Sequence, residues 1–193
     1  MSLSDLRKDL TIDAELSGER LSFLTTWGLF SPRNIDSGTE LLLDYLEVAE
    51  DETALDMGCG YGPLGLTIAR KAIHGSVQLV DKDFVAVEYT QTNAKRNGIN
   101  NVNVYLSNGF SAVPQAPALS LVVSNLPAKV GNEFFQIAFQ DAYDRLQPGG
   151  RIVVVTINGL RTFIKRSFFD VFGNAKKLKQ GKSYTITMAI KEG

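Results

Sequence analysis

From Thr53 onward the apolar positions follow two alternating rhythms. Short runs rich in β-branched residues occur at TALDM (53–57), SVQLVD (76–81), NVNVYLS (101–107), ALSLVVS (118–124) and RIVVVTI (151–157). Each is bounded by Gly, Asn or Pro and predicts a strand. Helical spacing fills the intervals. Residues 63–72 open with a proline suited to a first helical turn, and 84–97 end just before Gly98, a C-cap signal. From 132 to 146 the apolar residues Phe134, Phe135, Ala138, Phe139, Ala142, Tyr143 and Leu146 form one stripe, which QPGG then stops. A further helix is predicted near 160–172.

Strand and helix in alternation predict an α/β fold, a parallel sheet with helices on both faces. The C-terminal stretch NAKKLKQGKSYTITMAI breaks the alternation. It reads as two strands joined at Gln180-Gly181-Lys182, too closely linked to be parallel. The expected sheet therefore has five mostly parallel strands extended by an antiparallel hairpin. Upstream, a loop rich in turn formers precedes a helix from about Ser37, with Leu41, Leu42, Tyr45 and Leu46 toward the sheet. Residues 1–50 are expected to cap the ligand-binding part at 51–193, within one structural domain; the first 24 residues receive no assignment.

Composition narrows the field. A chain of 193 residues, 44% hydrophobic and 21% charged, suits one core. A formal net charge of -1 exerts no global pull on nucleic acid or membrane. A local cluster stands out: Arg161, Lys165, Arg166, Lys176, Lys177, Lys179 and Lys182 face Asp170 alone, a pattern that suits either phosphate contacts or solvated faces. The single cysteine excludes an internal disulfide, and no apolar run of about 18 residues suggests a membrane span. The start MSLSDLRKDL lacks the pattern of a signal peptide, so the cytoplasm is the expected compartment.

The chemistry begins after the first of these strands, at LDMGCGYGPLG (55–65). Its glycines allow a tight turn with room for a ligand against the backbone. Gly60, Gly62 and Gly65 satisfy G-x-G-x-x-G with Asp81 about twenty residues on, which formally meets the dinucleotide fingerprint. The preceding carboxylate, Asp56, suits a cationic ligand better than a pyrophosphate. S-adenosylmethionine offers an ammonium, a sulfonium and a ribose diol, the last within the competence of Asp81, while Asn108 can address the adenine edge. Asp81 is alternatively a helix N-cap, and Asn108-Gly109 alternatively a plain turn. Cys59 reads as a small residue in a crowded turn, His74 as a C-terminal cap residue.

The run LSLVVSNLPAKVGNE (119–133) ends a strand in Asn125-Leu126-Pro127. Pro127 disfavours helix at Leu126, which leaves the Leu126 carbonyl free to accept. With the Asn125 side-chain oxygen it makes a pair of acceptors suited to the two N–H bonds of one planar amine. Such a grip positions a weakly nucleophilic nitrogen for in-line methyl transfer without a metal.

In order and spacing, ALDMGCGYGPLGLTIAR, LVDKD, NAKRNGI, LSNGF, LVVSNLPAKVGNE and LQPGGRIVVV resemble a class I S-adenosylmethionine-dependent methyltransferase of the small-domain (MTS) superfamily. WGLFSPRNIDSGTELLL and GKSYTITMAI narrow the likeness to the catalytic half of the ribosomal RNA small-subunit guanine-N2 methyltransferase family and its single-domain archaeal relatives. The resemblance covers about 25–190. It implies a Rossmann-like sheet of seven strands, mostly parallel, with a C-terminal antiparallel hairpin and helices on both faces, making 51–193 the catalytic domain. It also implies a cofactor site at Asp56, Gly58, Cys59, Gly60, Gly62, Asp81, Lys82, Asn108 and Gly109, with Asn125, Leu126 and Pro127 catalytic. Phe30, Arg33 and Lys129 flank the expected substrate entrance, and RNA, in particular ribosomal RNA, is the implied partner.

The chain departs from the family's Asn-Pro-Pro-aromatic motif by Leu126 and Ala128. Leu126 preserves the carbonyl, but Ala128 cannot stack on a base, a contact worth about 1–3 kcal/mol; Trp27, Phe30 and Phe134 are candidates for that face. Alternatives are methyl transfer to a protein glutamine or a small molecule, and a non-catalytic cofactor-binding subunit.

Overall fold

A computed structural model describes residues 2–193. In chain order the elements are α1 (Leu3–Leu6), β1 (Leu10–Leu16), β2 (Glu19–Thr25), α2 (Ser37–Tyr45), β3 (Thr53–Met57), α3 (Pro63–Lys71), β4 (Ser76–Asp81) and α4 (Phe84–Arg96). There follow β5 (Val102–Leu106), β6 (Leu119–Asn125), α5 (Asn132–Arg145), β7 (Leu146–Ile157), a 3-10 turn, α6 (Arg161–Phe172), β8 (Lys176–Gln180) and β9 (Tyr184–Ile190). The main sheet has seven strands in the order β5-β4-β3-β6-β7-β9-β8. Strands β5, β4, β3, β6 and β7 pair in parallel, and β9 is antiparallel to both β7 and β8. The sequence expectation of a mostly parallel seven-stranded sheet with a C-terminal hairpin agrees with this arrangement.

The central strands are apolar at successive positions because both faces are covered, the usual condition of a parallel sheet. Ala54, Leu121, Val123, Val153 and Val155 point into one core layer with Leu42 of α2, Leu66 and Ile68 of α3, and Ala86 and Ala94 of α4. Their neighbours Leu55, Val122, Ile152 and Val154 point the other way, toward Phe135 and Phe139 of α5 and Ile164 and Phe168 of α6. Phe139 meets Phe168 edge to face at 4.8 Å between ring centroids. Within α2, Leu43 is buried while Tyr45, expected toward the sheet, is 42% exposed. The QPGG stretch, expected only to end α5, is part of strand β7, whose backbone there bonds Lys191 through Gly149 and Gly150.

The chain runs outward from β3 through β4 to β5, then crosses back to place β6 on the other side of β3. That reversal opens a crevice at the C-terminal ends of β3 and β6, where open α/β sheets bind ligands.

The unassigned N-terminus forms an antiparallel hairpin, with Leu16 paired to Glu19 across Ser17-Gly18. Both turn residues have positive φ, 50° and 86°, as a two-residue hairpin turn matching strand twist requires. Asn93 of α4 and Asn97, its C-cap, serve as a substitute strand for the free edge of β2. Asn93 accepts from Leu24 N–H at 2.7 Å and donates to the Leu24 and Tyr61 carbonyls at 2.9 and 2.8 Å. One turn on, Asn97 accepts from Ser22 N–H and donates to the Ser22 carbonyl, both at 2.9 Å.

Candidate functional site

At the strand ends lies a cavity of about 680 Å³, within the range of small-molecule sites. The glycine turn between β3 and α3 forms its floor. Gly58 and Gly60 have φ of 78° and 58°, and a Cβ at either would meet no protein atom within 4 Å. Open space on the cavity side is what close approach of a ligand to this backbone needs. Gly62 differs: as the N-cap of α3 it faces Leu66 and Thr90 and is not part of the cavity wall. Gly62, expected among the cofactor contacts, packs closely at the start of α3. Cys59 lines the cavity with its thiol buried; burial, and then the charges of Asp56 and Asp81, push the thiol pKa well up, so it is held protonated.

Two carboxylates address this floor. Asp56 is fully enclosed at the end of β3, where Oδ2 accepts the Gly65 N–H at 2.8 Å and Oδ1 is buried without a partner. Burial raises its carboxyl to about 7, opposed by the Gly65 hydrogen bond and reinforced by the Asp81 charge. Half-buried Asp81, at the end of β4, receives the Gly60 N–H on Oδ2 and the Asp83 N–H on Oδ1, each at 2.9 Å. The helix cap expected as an alternative role for Asp81 belongs instead to Asp83, which accepts from Val85 N–H. Asp81 is thereby left at the cavity wall. Lys82 and the Asn108-Gly109 turn also line it, with Gly109 at φ 58°.

Four of the wall's side chains are acidic, Asp36, Asp56, Asp81 and Asp83, against Lys82 alone among basic ones. The unpaired Asp56 oxygen and the space above Gly58 and Gly60 fit a cationic, nucleoside-bearing ligand such as S-adenosylmethionine. Asp81 and Asn108 line the same cavity as this floor. A pyrophosphate would meet like charge throughout.

Asn125 is half-buried at the end of β6. Its Nδ2 donates to Asp36 Oδ1 at 2.8 Å and to Thr39 Oγ1 at 3.0 Å, and among the described residues no donor takes Oδ1, an acceptor left free on a residue of the cavity wall. The Leu126 N–H, absent where the family has proline, donates to the Val155 carbonyl at 3.0 Å and so extends the β6–β7 ladder by one bond. Leu126 is buried, and among the described residues no donor takes its carbonyl. Pro127 and Ala128 continue the wall.

Of the other expected residues, Phe30 lines the cavity and is 65% exposed, whereas Arg33 and Lys129 are exposed outside the wall. Phe134 lines it too, adjacent to Gly109; Trp27 does not. His74 is exposed two residues beyond Ala72, the actual C-cap of α3. Two of the seven C-terminal cations lie against different layers: Lys179 over the Tyr45 ring of α2 at 5.0 Å, and Lys165 over Phe169 of α6 at 5.8 Å. Among the described residues no helix is long and apolar enough to cross a membrane, and no group of three metal-ligating side chains converges.

Sequence reasoning missed Asp36, Thr39, Tyr61 and Tyr184. Tyr61 donates to the Ser31 and Asn34 carbonyls at 3.3 and 3.5 Å, fastening the β2–α2 loop over the glycine turn. Only Asp36 carried a local signal, an acidic residue directly before a helix.

Comparison with known proteins places this geometry in a family. The uncharacterized protein YbxB of Bacillus subtilis (strain 168) is 32% identical over 179 residues, 91% of this chain and 89% of that one. The ribosomal RNA small subunit methyltransferase C of Hahella chejuensis is 32% identical over 148 residues, 73% of this chain but 42% of that protein. A T. thermophilus 16S rRNA N2 G1207 methyltransferase, solved with AdoMet and guanosine, superposes with a TM-score of 0.86 at 26% identity, over 95% of this chain and 51% of that one. The chain thus spans about half the length of these ribosomal RNA methyltransferases. The family profile described as Methyltransferase small domain matches residues 20–188, and the chain belongs to this family of S-adenosylmethionine-dependent enzymes.

Proposed function

We propose that the protein methylates an exocyclic amine of RNA, and that the acceptor is guanine N2 of ribosomal RNA. One observation carries this reading: two unsatisfied acceptors, Asn125 Oδ1 and the Leu126 carbonyl, adjoin at the end of β6 beside the glycine turn. A planar amine presents two N–H bonds, and this pair accepts both. S-adenosylmethionine, when bound, supplies an electrophilic methyl group on sulfur.

The residues of the chain then have distinct tasks. Asp56, Asp81 and Asn108 hold the cofactor's polar groups against the floor. Asn125 and Leu126 fix the amine and draw its hydrogens away, so that the nitrogen lone pair is directed at the methyl carbon. Fixing two reactants in line supplies a large part of a rate enhancement without any covalent or metal chemistry. With the cofactor bound, breaking of its sulfur–methyl bond would leave a neutral thioether and place positive charge on the nitrogen. The N–H bonds would then be stronger donors to the same two acceptors until one proton left to solvent. The acceptors thus bind the transition state more tightly than the ground state. The likeness to ribosomal RNA methyltransferases, one of them holding guanosine, supports guanine as the acceptor. With alanine at 128, the aromatic side chains of Phe30 and Phe134 on the same wall are the candidates for stacking on the base.

The test is incubation of the protein and labelled S-adenosylmethionine with fractionated cell RNA and protein, followed by nucleoside analysis. N2-methylguanosine in ribosomal RNA, lost in Asn125→Ala, is the expected result. Label confined to protein would overturn the RNA assignment and favour a glutamine acceptor. Normal cofactor affinity without transfer to any fraction would instead favour a non-catalytic role.

A further inference from the structure

We propose that Asp36 is a positioning residue for the reaction, holding the Asn125 carboxamide so that its oxygen, not its nitrogen, faces the methyl acceptor. The inference rests on the reading above that Asn125 grips an amine. A carboxamide turned by 180° exchanges an acceptor for a donor, and a donor facing an amine repels it. A carboxylate can only accept. Placed 2.8 Å from Nδ2, Asp36 makes the productive orientation the favoured one, and Thr39 Oγ1 takes the second N–H at 3.0 Å.

Capping alone does not account for this arrangement. As the N-cap of α2, Asp36 needs only the Gly38 N–H, which it accepts at 2.9 Å. It also receives the Tyr184 hydroxyl at 3.1 Å from the start of β9. Helix α2, strand β6 and strand β9 therefore converge on one carboxylate. The convergence leaves no room at Gly38, where a Cβ would come within 2.8 Å of Asp36 Oδ1 and 3.0 Å of the Tyr184 ring. Burial, then the neighbouring Asp36 charge, raises the Tyr184 hydroxyl pKa, so it stays a donor to the carboxylate. Hydrogen bonds to an ionised acceptor are stronger than neutral ones, which suits a contact that must hold a rotor.

The test uses the full chain with total ribosomal RNA and tritiated S-adenosylmethionine, comparing wild type, Asp36→Ser, Asp36→Asn, Thr39→Val and Asn125→Ala. Serine caps a helix as well as aspartate does but is too short to keep all three partners. Asp36→Ser is expected to lower kcat/KM for RNA about tenfold or more, with cofactor affinity within about twofold of wild type. Asp36→Asn, which retains an oxygen for Gly38 and Asn125, recovers most of that loss. The Asn125 side-chain amide protons, both hydrogen-bonded in wild type, are expected to exchange with solvent faster in Asp36→Ser and Thr39→Val than in wild type. Wild-type transfer by Asp36→Ser alongside an inactive Asn125→Ala would overturn the positioning role, as would equal losses in the serine and asparagine variants. Wild-type transfer by Asn125→Ala would instead overturn the amine-gripping reading itself.

Discussion

Asp36 Oδ1 lies 2.8 Å from Asn125 Nδ2, so the first residue before α2 sets the direction of the last residue of β6. The N-terminal segment is in this way part of the site. Removing the amide at 125 deletes one of two acceptors and leaves the Asp36 carboxylate with two of its three partners, Gly38 and Tyr184. Asn125→Ala is expected to reduce methyl transfer by about 10²–10³, the scale of losing one oriented polar group aimed at developing charge. Cofactor affinity, measured by calorimetry, stays near wild type. A parallel loss of affinity would show that Asn125 belongs to the cofactor site instead.

Asp81 bridges the Gly60 N–H and the cavity wall. Asp81→Ala is expected to weaken S-adenosylmethionine binding about tenfold or more, because a carboxylate lost from a site of this kind removes a charge-assisted hydrogen bond. Fluorescence or calorimetric titration reads it directly. Unchanged affinity would remove Asp81 from the ribose site.

Burial lifts the Asp56 carboxyl from 3.8 to about 7, offset in part by the Gly65 N–H and reinforced by Asp81. Its native pKa exceeds its unfolded one, so between these values the native state binds more protons than the unfolded chain. The stability it contributes is full below about pH 4 and is lost as pH rises toward 7, an effect of roughly 4 kcal/mol by linkage. Urea unfolding of the ligand-free protein at pH 5 and 7.5 is expected to show a steeper decline in wild type than in Asp56→Asn. A cation seated on Asp56 favours the ionised form, so cofactor binding near pH 6 releases protons detectable in buffers of different ionisation enthalpy. Equal pH slopes in the two proteins would refute the assignment.

Asn93 is wholly buried and satisfies Leu24 N–H and two carbonyls. Asn93→Ala strands these groups, and a loss of about 2–4 kcal/mol is expected in denaturant unfolding. Hydrogen exchange is expected to speed up first in β2 and in the loop that Tyr61 fastens. Uniform exchange changes across the sheet would argue against a local zipper.

At the opposite end of the sheet, Glu52 is 2% exposed and meets Arg151 Nη2 at 2.8 Å. Burial pushes the Glu52 carboxyl up, but the Arg151 and Ser120 hydrogen bonds outweigh it and hold it below its ordinary value. Arg151→Met leaves a buried charge unpaired and is expected to cost about 3–5 kcal/mol. Because the pair lies away from the cavity, cofactor affinity of the folded variant is expected to stay at the wild-type level. Adding Glu52→Leu restores much of the stability; failure of that rescue would mean that Glu52 carries little of the strain.

Local chemistry along the chain was sufficient for much of this protein. Runs such as SVQLVD and RIVVVTI are apolar on both faces, which suits a doubly covered sheet, and glycines at 58 and 60 permit the turn of positive φ that the chain makes there. The Asn125-Leu126-Pro127 acceptors were legible because proline restricts its neighbour whatever the surroundings. The β1–β2 hairpin was legible in principle, since Ile12, Ala14 and Leu16 alternate with polar residues up to Ser17-Gly18, but a lone hairpin is stable only when something covers it. What covers it is the core layer that Leu16, Leu21 and Phe23 join, and its edge is bonded by Asn93 and Asn97, 69 or more residues away. At Gly62 the motif position suggests a ligand, while the close approach of Leu66 and Thr90 to it could be seen only in the fold.

The sequence by itself thus determined most of the strands and helices from Thr53 onward and which residues end at the C-terminal edge of the sheet, because periodicity, turn chemistry and proline act over a few residues. Tertiary structure alone decided the direction of the Asn125 amide, the unpaired state of the buried Asp56 oxygen and the union of Asp36, Asn125 and Tyr184. Each of these is a relation between groups far apart in the chain, set by which side chains the fold brings within hydrogen-bond reach and which it deprives of water.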